Sequence, residues 1–498
     1  MAALLIGFAL RLYGLGIIPG GLNQDEASAG YEAFSLLKYG IDRNGISNPV
    51  HLLAWGSGQN IAYTWLCMPF VAVMGLSVTA VRLPMAVVGC VSIVAFAVLV
   101  KEVWNERYAL WAAVYFAVFP WHIMKSRWAL ESNLFPDLML WGSVLLVLFI
   151  KRQKNSYLYL AVAVLSFSVY SYGTAYMFMP LFMGIMWLYM LIRKKISAKQ
   201  FVMSAVLCVV LVMPIMLFAL INIYDLPQVS FMGFTVPKMY QQRFSTVMRT
   251  GDNFMAGCIT NLKEFIEILI NQGDGLPWNS MEKYGICYRL FIPLIPIGAA
   301  VSFFSRKTEN AVMNIWFICS VLVIAVTDVN VNRANIVFIP LAYYISLAIA
   351  FIADRHRLLK PAMLCVTACL CTLFCTTYFT QWAENIKHPF FYSYDKALET
   401  ALQADTDRIY ISTGINQPYM LTMFYTEADP HIYIETAEKI YQYSAFESVK
   451  SFDKYFFYMP ETVDLSAAYI VDRYMSRSLD RNYFIVTDYD FYSVAVPK

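Results

Sequence analysis

The stretch AALLIGFALRLYGLGIIPGGLNQDEASAGYEAF (residues 2–34) decides how the rest of the chain is read. Residues 2–18 are apolar apart from Arg11 and a few small positions. As a helix such a run rises about 25 Å, close to the ~30 Å of bilayer hydrocarbon. It starts at the first methionine with no basic leader and has no AxA cleavage site, which favours a retained membrane helix over a removed signal peptide. Two carboxylates, Asp25 and Glu26, follow at once. They are expected at the membrane surface, with Asp25 capping a helix from Glu26 to about Tyr39.

The alternation of apolar run and polar joint continues through the first 382 residues. Of the 498 residues 59% are hydrophobic and only 14% charged, and the mean hydropathy is +0.53. A soluble domain carries about a quarter charged residues, so a soluble enzyme, a disordered chain and a disulfide scaffold are excluded. Spans are expected near 2–18, 84–100, 108–124, 136–150, 157–171, 174–192, 201–222, 286–304, 311–327, 334–352 and 361–381, about 11 transmembrane helices. The joints KEVWNERY (101–108), KRQKNS (151–156), RKKISAKQ (193–200), SRKTEN (305–310) and ADRHRLLK (353–360) are basic and fall at every second joint. The positive-inside rule puts them and the N-terminus in the cytoplasm, and the intervening joints and the C-terminal part outside. Residues 60–76 would reverse this if they crossed. Their marginal length, with Tyr63, Trp65 and Pro69, reads instead as an interfacial or re-entrant segment within a first external loop, 19–83. The second external loop, 224–285, contains CITNLKEFIEILINQ (258–272). Its Ile259, Leu262, Ile266, Leu269 and Ile270 share one helical face, and Asn261, Lys263, Glu264 and Glu267 the other, as in a helix lying on a membrane surface.

The net charge of +3 joins two unlike parts. Residues 383–498 hold 10 basic and 17 acidic side chains, a net of −7, and the first 382 hold 27 and 17, a net of +10. In the acidic part DRIYISTG (407–414) and YFIVTDYDFYSVAV (483–496) read as strands. QPYMLTMFYTE (417–427) and TAEKIYQYSAFESV (436–449) read as helices. The expected architecture is a polytopic α-helical membrane domain, 1–382, followed by a small extracytoplasmic α/β domain, 383–498. Most of the ten cysteines sit in apolar runs, four of them in CVTACLCTLFC (365–375), and read as small buried hydrophobes. Five scattered histidines (51, 122, 356, 388, 431) form no HxxxH or HExxH pattern, so no dedicated metal site is expected. No Walker or dinucleotide glycine loop is present, and no nucleic-acid partner is expected.

Carboxylates are scarce in the membrane part, so their positions carry information. A carboxylate near a helix N-terminus at a low-dielectric boundary is placed to act as a general base, a role compatible with capping for the pair Asp25 and Glu26. Glu131, in WHIMKSRWALESNLFPD (121–137), falls on the same side. Lys125 and Arg127 in that joint, and Arg333 in TDVNVNRANIVFIP (327–340), are cations on the outer side, against the positive-inside bias. A bound phosphate would explain them, Arg333 through its two-pronged guanidinium. The alternative is an interfacial anchor whose stem covers apolar surface. Tyr172, in VYSYGTAYMFMP (169–180) at the outer end of its span, is a candidate substrate contact, the alternative being a member of the interfacial aromatic belt. His51, Trp55, Gln59 and Asn60 (HLLAWGSGQN, 51–60) offer stacking and amide hydrogen bonds to a sugar. A base, anion-binding cations and a site at the outer rim fit glycosyl transfer from a lipid-phosphate donor, because phosphate leaves without a strong general acid.

The chain resembles the GT-C superfamily of integral-membrane glycosyltransferases. It is most similar to family 39, the protein-mannosyltransferase and aminoarabinose-transferase-like group. The resemblance rests on Asp25-Glu26 after the first span, Arg82-Leu83-Pro84 entering the second, PWHIMKSRWALE (120–131) and NVNRANIVFIP (330–340), and covers roughly residues 1–380. It implies an extracytoplasmic site using a polyprenyl-phosphate sugar donor, with Asp25 as base, Glu26 beside it and Glu131 as a further acid. Some relatives carry Asp at the position of Glu131, and Asp137 is an alternative. The resemblance also covers enzymes with and without a divalent metal. The acceptor would be a protein, a cell-wall polymer or a lipid glycan. Two other readings are a transporter or flippase of lipid-linked glycan, which would place charges deep in several spans, and a non-catalytic scaffold for envelope polymer, which would tolerate loss of Asp25.

Overall fold

The computed structural model describes residues 1–56, 58–240, 254–440 and 447–498. The first apolar run is helical only over α1 (Ala2–Leu12). Gly14, at φ +60°, turns the chain out of it. α2 (Gln24–Lys38) follows, and its cap differs from the expected one. Asn23 has the extended backbone of a capping residue, whereas Asp25 already lies inside the helix and cannot cap it. The Asn23 side chain accepts from the Asp25 amide at 3.0 Å, and Glu26 Oε2 accepts from the Asn23 amide at 3.2 Å. The two form a capping box.

The two-residue strands β1 (His51–Leu52) and β2 (Gln59–Asn60) pair antiparallel, and α3 (Ala62–Met74) follows. At 13 residues α3 rises about 20 Å, short of a bilayer crossing. α4 (Val78–Val103) is long enough. The run expected at 108–124 is two helices, α5 (Glu106–Ala117) and α6 (Pro120–Ser126). Pro120 has no amide proton and its ring opposes continuation, so the chain restarts with proline in the first turn. α7 (Glu131–Arg152) comes next.

Among the described residues seven helices are long and apolar enough to cross a membrane: Val78–Val103, Glu131–Arg152, Ala175–Ile192, Ala198–Ile223, Thr308–Val326, Val331–Ala353 and Leu359–Asn385. Ala2–Leu12, Ala62–Met74, Asn155–Tyr170 and Leu294–Phe303 are apolar but shorter. The count of 11 is therefore not reached by length and composition. The helix expected over 258–272 is present as Phe254–Asn271. Asn261, Phe265 and Ile268 face inward, with Asn261 Nδ2 donating to the Ala325 carbonyl at 3.0 Å, while Ile259, Ile266 and Ile270 are exposed. Part of the second loop lies outside the described residues.

The chain forms two compact units. One comprises Met1–Tyr13, Leu83–Ala219 and Arg243–Phe379, the other Gly14–Arg82, Leu220–Gln242 and Thr380–Lys498. Residues 14–82 thus belong with the C-terminal part. A hairpin, β3 (Val229–Phe231) and β4 (Phe234–Val236), joins them through a bridge from Thr235 to Pro49. Among the described residues the main sheet of the second unit has seven strands: β5 (Ile409–Ser412), β6 (Glu438–Ile440), β7 (Ser448–Phe452), β8 (Tyr455–Phe456), β9 (Ala468–Asp472), β10 (Phe484–Asp488) and β11 (Tyr492–Pro497). The order is β10-β11-β9-β5-β8-β7-β6, with β5 parallel to both β8 and β9. One sheet face packs around stacked Tyr410 and Tyr469, with Val471, Phe484 and Ala495. The expected strands and the helix Pro418–Thr426 are present. TAEKIYQYSAFESV is not the expected helix: it contributes β6 and the start of β7, and its residues 441–446 lie outside the described residues.

Candidate active site

In the second unit the site begins with Asp25 and Glu26 in the first turn of α2. Almost all of α2 from Glu26 to Ser35 is buried, packed on α3 and on the helix Pro418–Thr426. Gly30 permits this: a Cβ there would lie 2.4 Å from Val81 and 2.9 Å from the Phe424 ring. Glu26 is fully buried and takes a bidentate pair from Arg82, Nε to Oε1 and Nη2 to Oε2, both 2.8 Å. Arg82 Nη1 also donates to the carbonyls of Pro19 (2.7 Å) and Leu15 (3.4 Å), and Nη2 to that of Gly21 (2.8 Å). One guanidinium therefore fixes both the turn leaving α1 and the carboxylate beside Asp25. Its carbon lies 5.8 Å from the Phe390 ring centre. Gly21 has φ +85°, and a Cβ there would sit 2.0 Å from the Phe390 carbonyl oxygen, so only glycine fits. Asp25 itself is half-buried.

His51, Trp55, Gln59 and Asn60 are each about 5% exposed and build the interior of the loop. Ser28 Oγ donates to Gln59 Oε1 at 2.7 Å and accepts from Arg43 Nη1 at 2.8 Å. The Arg43 guanidinium lies over the Trp55 ring at 4.8 Å and faces Glu32 at 3.3 Å. Burial drives the His51 imidazole down to about 4, keeping it neutral. Burial likewise pushes the Glu32 carboxyl up to about 7 and that of Asp42 to about 6, despite Arg43.

In the first unit α6 and the start of α7 form a buried polar network. Arg11 Nη1 donates to the Ala117 carbonyl at 2.9 Å, and Nη2 to that of Phe116 at 3.2 Å; these lie at the break that Pro120 opens. Arg11 Nη2 also lies 2.7 Å from His122 Nδ1, whose other ring nitrogen meets Asp137 at 3.1 Å. Lys125 is buried, in a short contact with Asp137 and donating to the Asn133 carbonyl at 3.0 Å. Arg127 is fully buried, donates to the carbonyls of Leu10 and Arg11, and stacks on Tyr378 and Phe379. Both cations are thus engaged by protein groups. Glu131, half-buried, opens α7.

Arg333 sits in Val331–Ala334, capped by Asn330 and held by Asp274, which accepts from the Val331 amide at 3.0 Å. Asn335 Nδ2 donates to the Ser132 carbonyl at 2.8 Å, tying this segment to the residue after Glu131. The Arg333 side chain is 21% exposed, and its nearest carboxylate, Asp328, is 3.7 Å away. Tyr172 lies at the turn before Ala175–Ile192, half-buried.

Sequence reasoning used Arg82 only as a motif residue and passed over Arg11, His122, Glu32 and Arg43. An arginine inside an apolar run, as at Arg11, was the available signal. Among the described residues no three His, Cys, Asp or Glu side chains converge as metal ligands, so no step is derived through a metal.

Residues 59–218 match the family model of dolichyl-phosphate-mannose-protein mannosyltransferases. No curated protein matches the sequence. ArnT from Cupriavidus metallidurans in the apo state is similar in structure, with a TM-score of 0.59 at 12% identity over 99% of this chain and 96% of that one. The same protein bound to undecaprenyl phosphate gives 0.57 at 11% with equal coverage. The archaeal oligosaccharyltransferase AglB from Archaeoglobus fulgidus, in complex with an inhibitory peptide and a dolichol-phosphate, gives 0.52 at 11% over 95% of this chain and 69% of that one. From first helix to last strand the chain therefore has the fold of the GT-C glycosyltransferases, in a form resembling the protein mannosyltransferases and ArnT.

Proposed function

We propose that the protein is a membrane glycosyltransferase. It moves a sugar from a polyprenyl-phosphate donor to an acceptor hydroxyl or amide on the outer face of the membrane, with inversion. The observation that carries this is the locked turn of α2. Glu26 is clamped by Arg82 and by the Asn23 amide, which fixes the backbone that presents half-buried Asp25. Asp25 takes the acceptor's proton as its heteroatom bonds to the anomeric carbon. The bond from that carbon to the lipid phosphate breaks, and its electron pair leaves with the phosphate. Arg333, partly exposed and loosely paired, is the cation best placed in its own unit to receive phosphate oxygens. Lys125 and Asp137 hold α6 and α7 in register, and Arg127 ties the end of α6 to the carbonyls of Leu10 and Arg11 in α1. ArnT with undecaprenyl phosphate and AglB with a dolichol-phosphate support a lipid-phosphate donor.

The test is sugar transfer in membranes supplied with polyprenyl-phosphate sugars. Asp25→Asn is expected to lower the rate at least ~10³-fold while leaving accumulation and melting unchanged. Full activity in that variant removes Asp25 as the base.

A further inference from the structure

The C-terminal sheet has a place where its chain directions diverge. From β5 the chain leaves through residues 413–417 and the helix Pro418–Thr426 toward β6, β7 and β8 on one side. From β9, the parallel neighbour, it leaves through Arg473–Ser478 toward β10 and β11 on the other. Open α/β sheets bind ligands at such a point, outside the carboxyl ends of the strands. Here a cavity of about 970 Å³ opens at that point. Its floor is the junction of the two departing loops, where the Gly414 amide donates to Asp472 Oδ2 at 2.8 Å. Its walls carry the guanidinium groups of Arg473, Arg477 and Arg481 and the carboxylates of Asp488 and Asp490. The Tyr474 ring stands at the wall 78% exposed, with its hydroxyl hydrogen-bonded to the Asp472 carboxylate.

We infer that this cleft is a carbohydrate subsite, taking a neutral oligosaccharide segment. A guanidinium presents paired donors and the Asp490 carboxylate paired acceptors, each matching two neighbouring hydroxyls of a sugar ring, whereas Asp488 already accepts from Ser493 Oγ at 2.5 Å and faces Arg481 at 3.9 Å. An exposed tyrosine ring supplies the flat face on which the ring's C–H side rests. Mixed charge at close to equal numbers disfavours a bare anion, which would meet Asp488 and Asp490, and a bare cation, which would meet the arginines. The volume suits a few sugar rings rather than one. Taking the bound oligosaccharide as part of the acceptor rests on the proposed transfer reaction; the binding does not.

The test uses the full chain in a detergent without a sugar headgroup, titrated with maltotetraose, chitotetraose, mannotetraose and inorganic phosphate, and read by saturation-transfer NMR. At least one tetrasaccharide is expected to saturate in the millimolar range. Tyr474→Ala and Arg477→Gln, both at the surface, should each weaken it about tenfold without lowering the melting temperature. Absence of saturation by all three sugars overturns the subsite. So does binding that both variants leave unchanged, or saturation by phosphate in their place. Saturable sugar binding in a protein that shows no sugar transfer would keep the subsite and remove the acceptor reading.

Discussion

Three charged side chains, Arg82 and Glu32 in the second unit and Arg333 in the first, make separate claims. Breaking the fully buried Glu26–Arg82 pair leaves an uncompensated charge, so Arg82→Met should cost about 3–5 kcal/mol and lower the melting temperature as well as activity. An unchanged melt would mean that the pair is not the clamp described. Arg333→Lys should leave the melt alone and raise the donor KM several-fold, because an ammonium loses the two-pronged contact; an unchanged KM would remove Arg333 from donor binding. Glu32 is a pH element. Its folded carboxyl lies near 7 against 4.5 when unfolded, so the stability it contributes is complete below about 4.5 and is lost as pH rises through 7. The loss is on the order of 1–3 kcal/mol. Melting of the wild-type protein should fall across that window, and Glu32→Gln should flatten the fall. Parallel profiles for the two would exclude Glu32 as the group.

At the level of elements, small residues set how closely helices approach. A Cβ on Gly298 would lie 1.7 Å from the Tyr344 carbonyl oxygen, whereas nothing lies within 4 Å of one on Gly184. Gly298→Ala should therefore separate Leu294–Phe303 from Phe338–Ala353 and sharply lower the melting temperature. Gly184→Ala, on a comparable membrane helix, should leave it level or slightly higher. Equal effects would argue against tight packing at Gly298. These contacts cannot be read from hydropathy, which does reveal where apolar runs occur. Pro120 was a visible sign that 108–124 would break, but periodic apolar residues on both sides concealed it. TAEKIYQYSAFESV carries good helix formers, yet β6 and β7 pair at the sheet edge because the neighbouring strand completes their hydrogen bonds. Asp25 and Glu26 were legible because carboxylates are rare in such surroundings. Arg82, the partner that fixes Glu26, was not, because the two stand 56 residues apart. The same distance problem hid Arg43 beneath Trp55, which had looked like a sugar platform.

For the whole molecule, the basic joints give an orientation that a direct measurement can check. With all ten native cysteines replaced, a single cysteine at Ser305 should resist an impermeant thiol reagent applied from outside, and one at half-buried Val329 should react. Labelling at 305 would reverse the orientation and move the proposed reaction to the other face. The packing of α2 has a consequence in time. Tyr31 donates to the Ala428 carbonyl at 2.7 Å, Arg82 rests against Phe390, and Gly21 fits under the backbone of Phe390–Tyr392. Phe390, Tyr392 and Ala428 are translated more than 360 residues after Asp25 itself. A ribosome-bound chain therefore carries its candidate base long before the residues that pack beneath it are made.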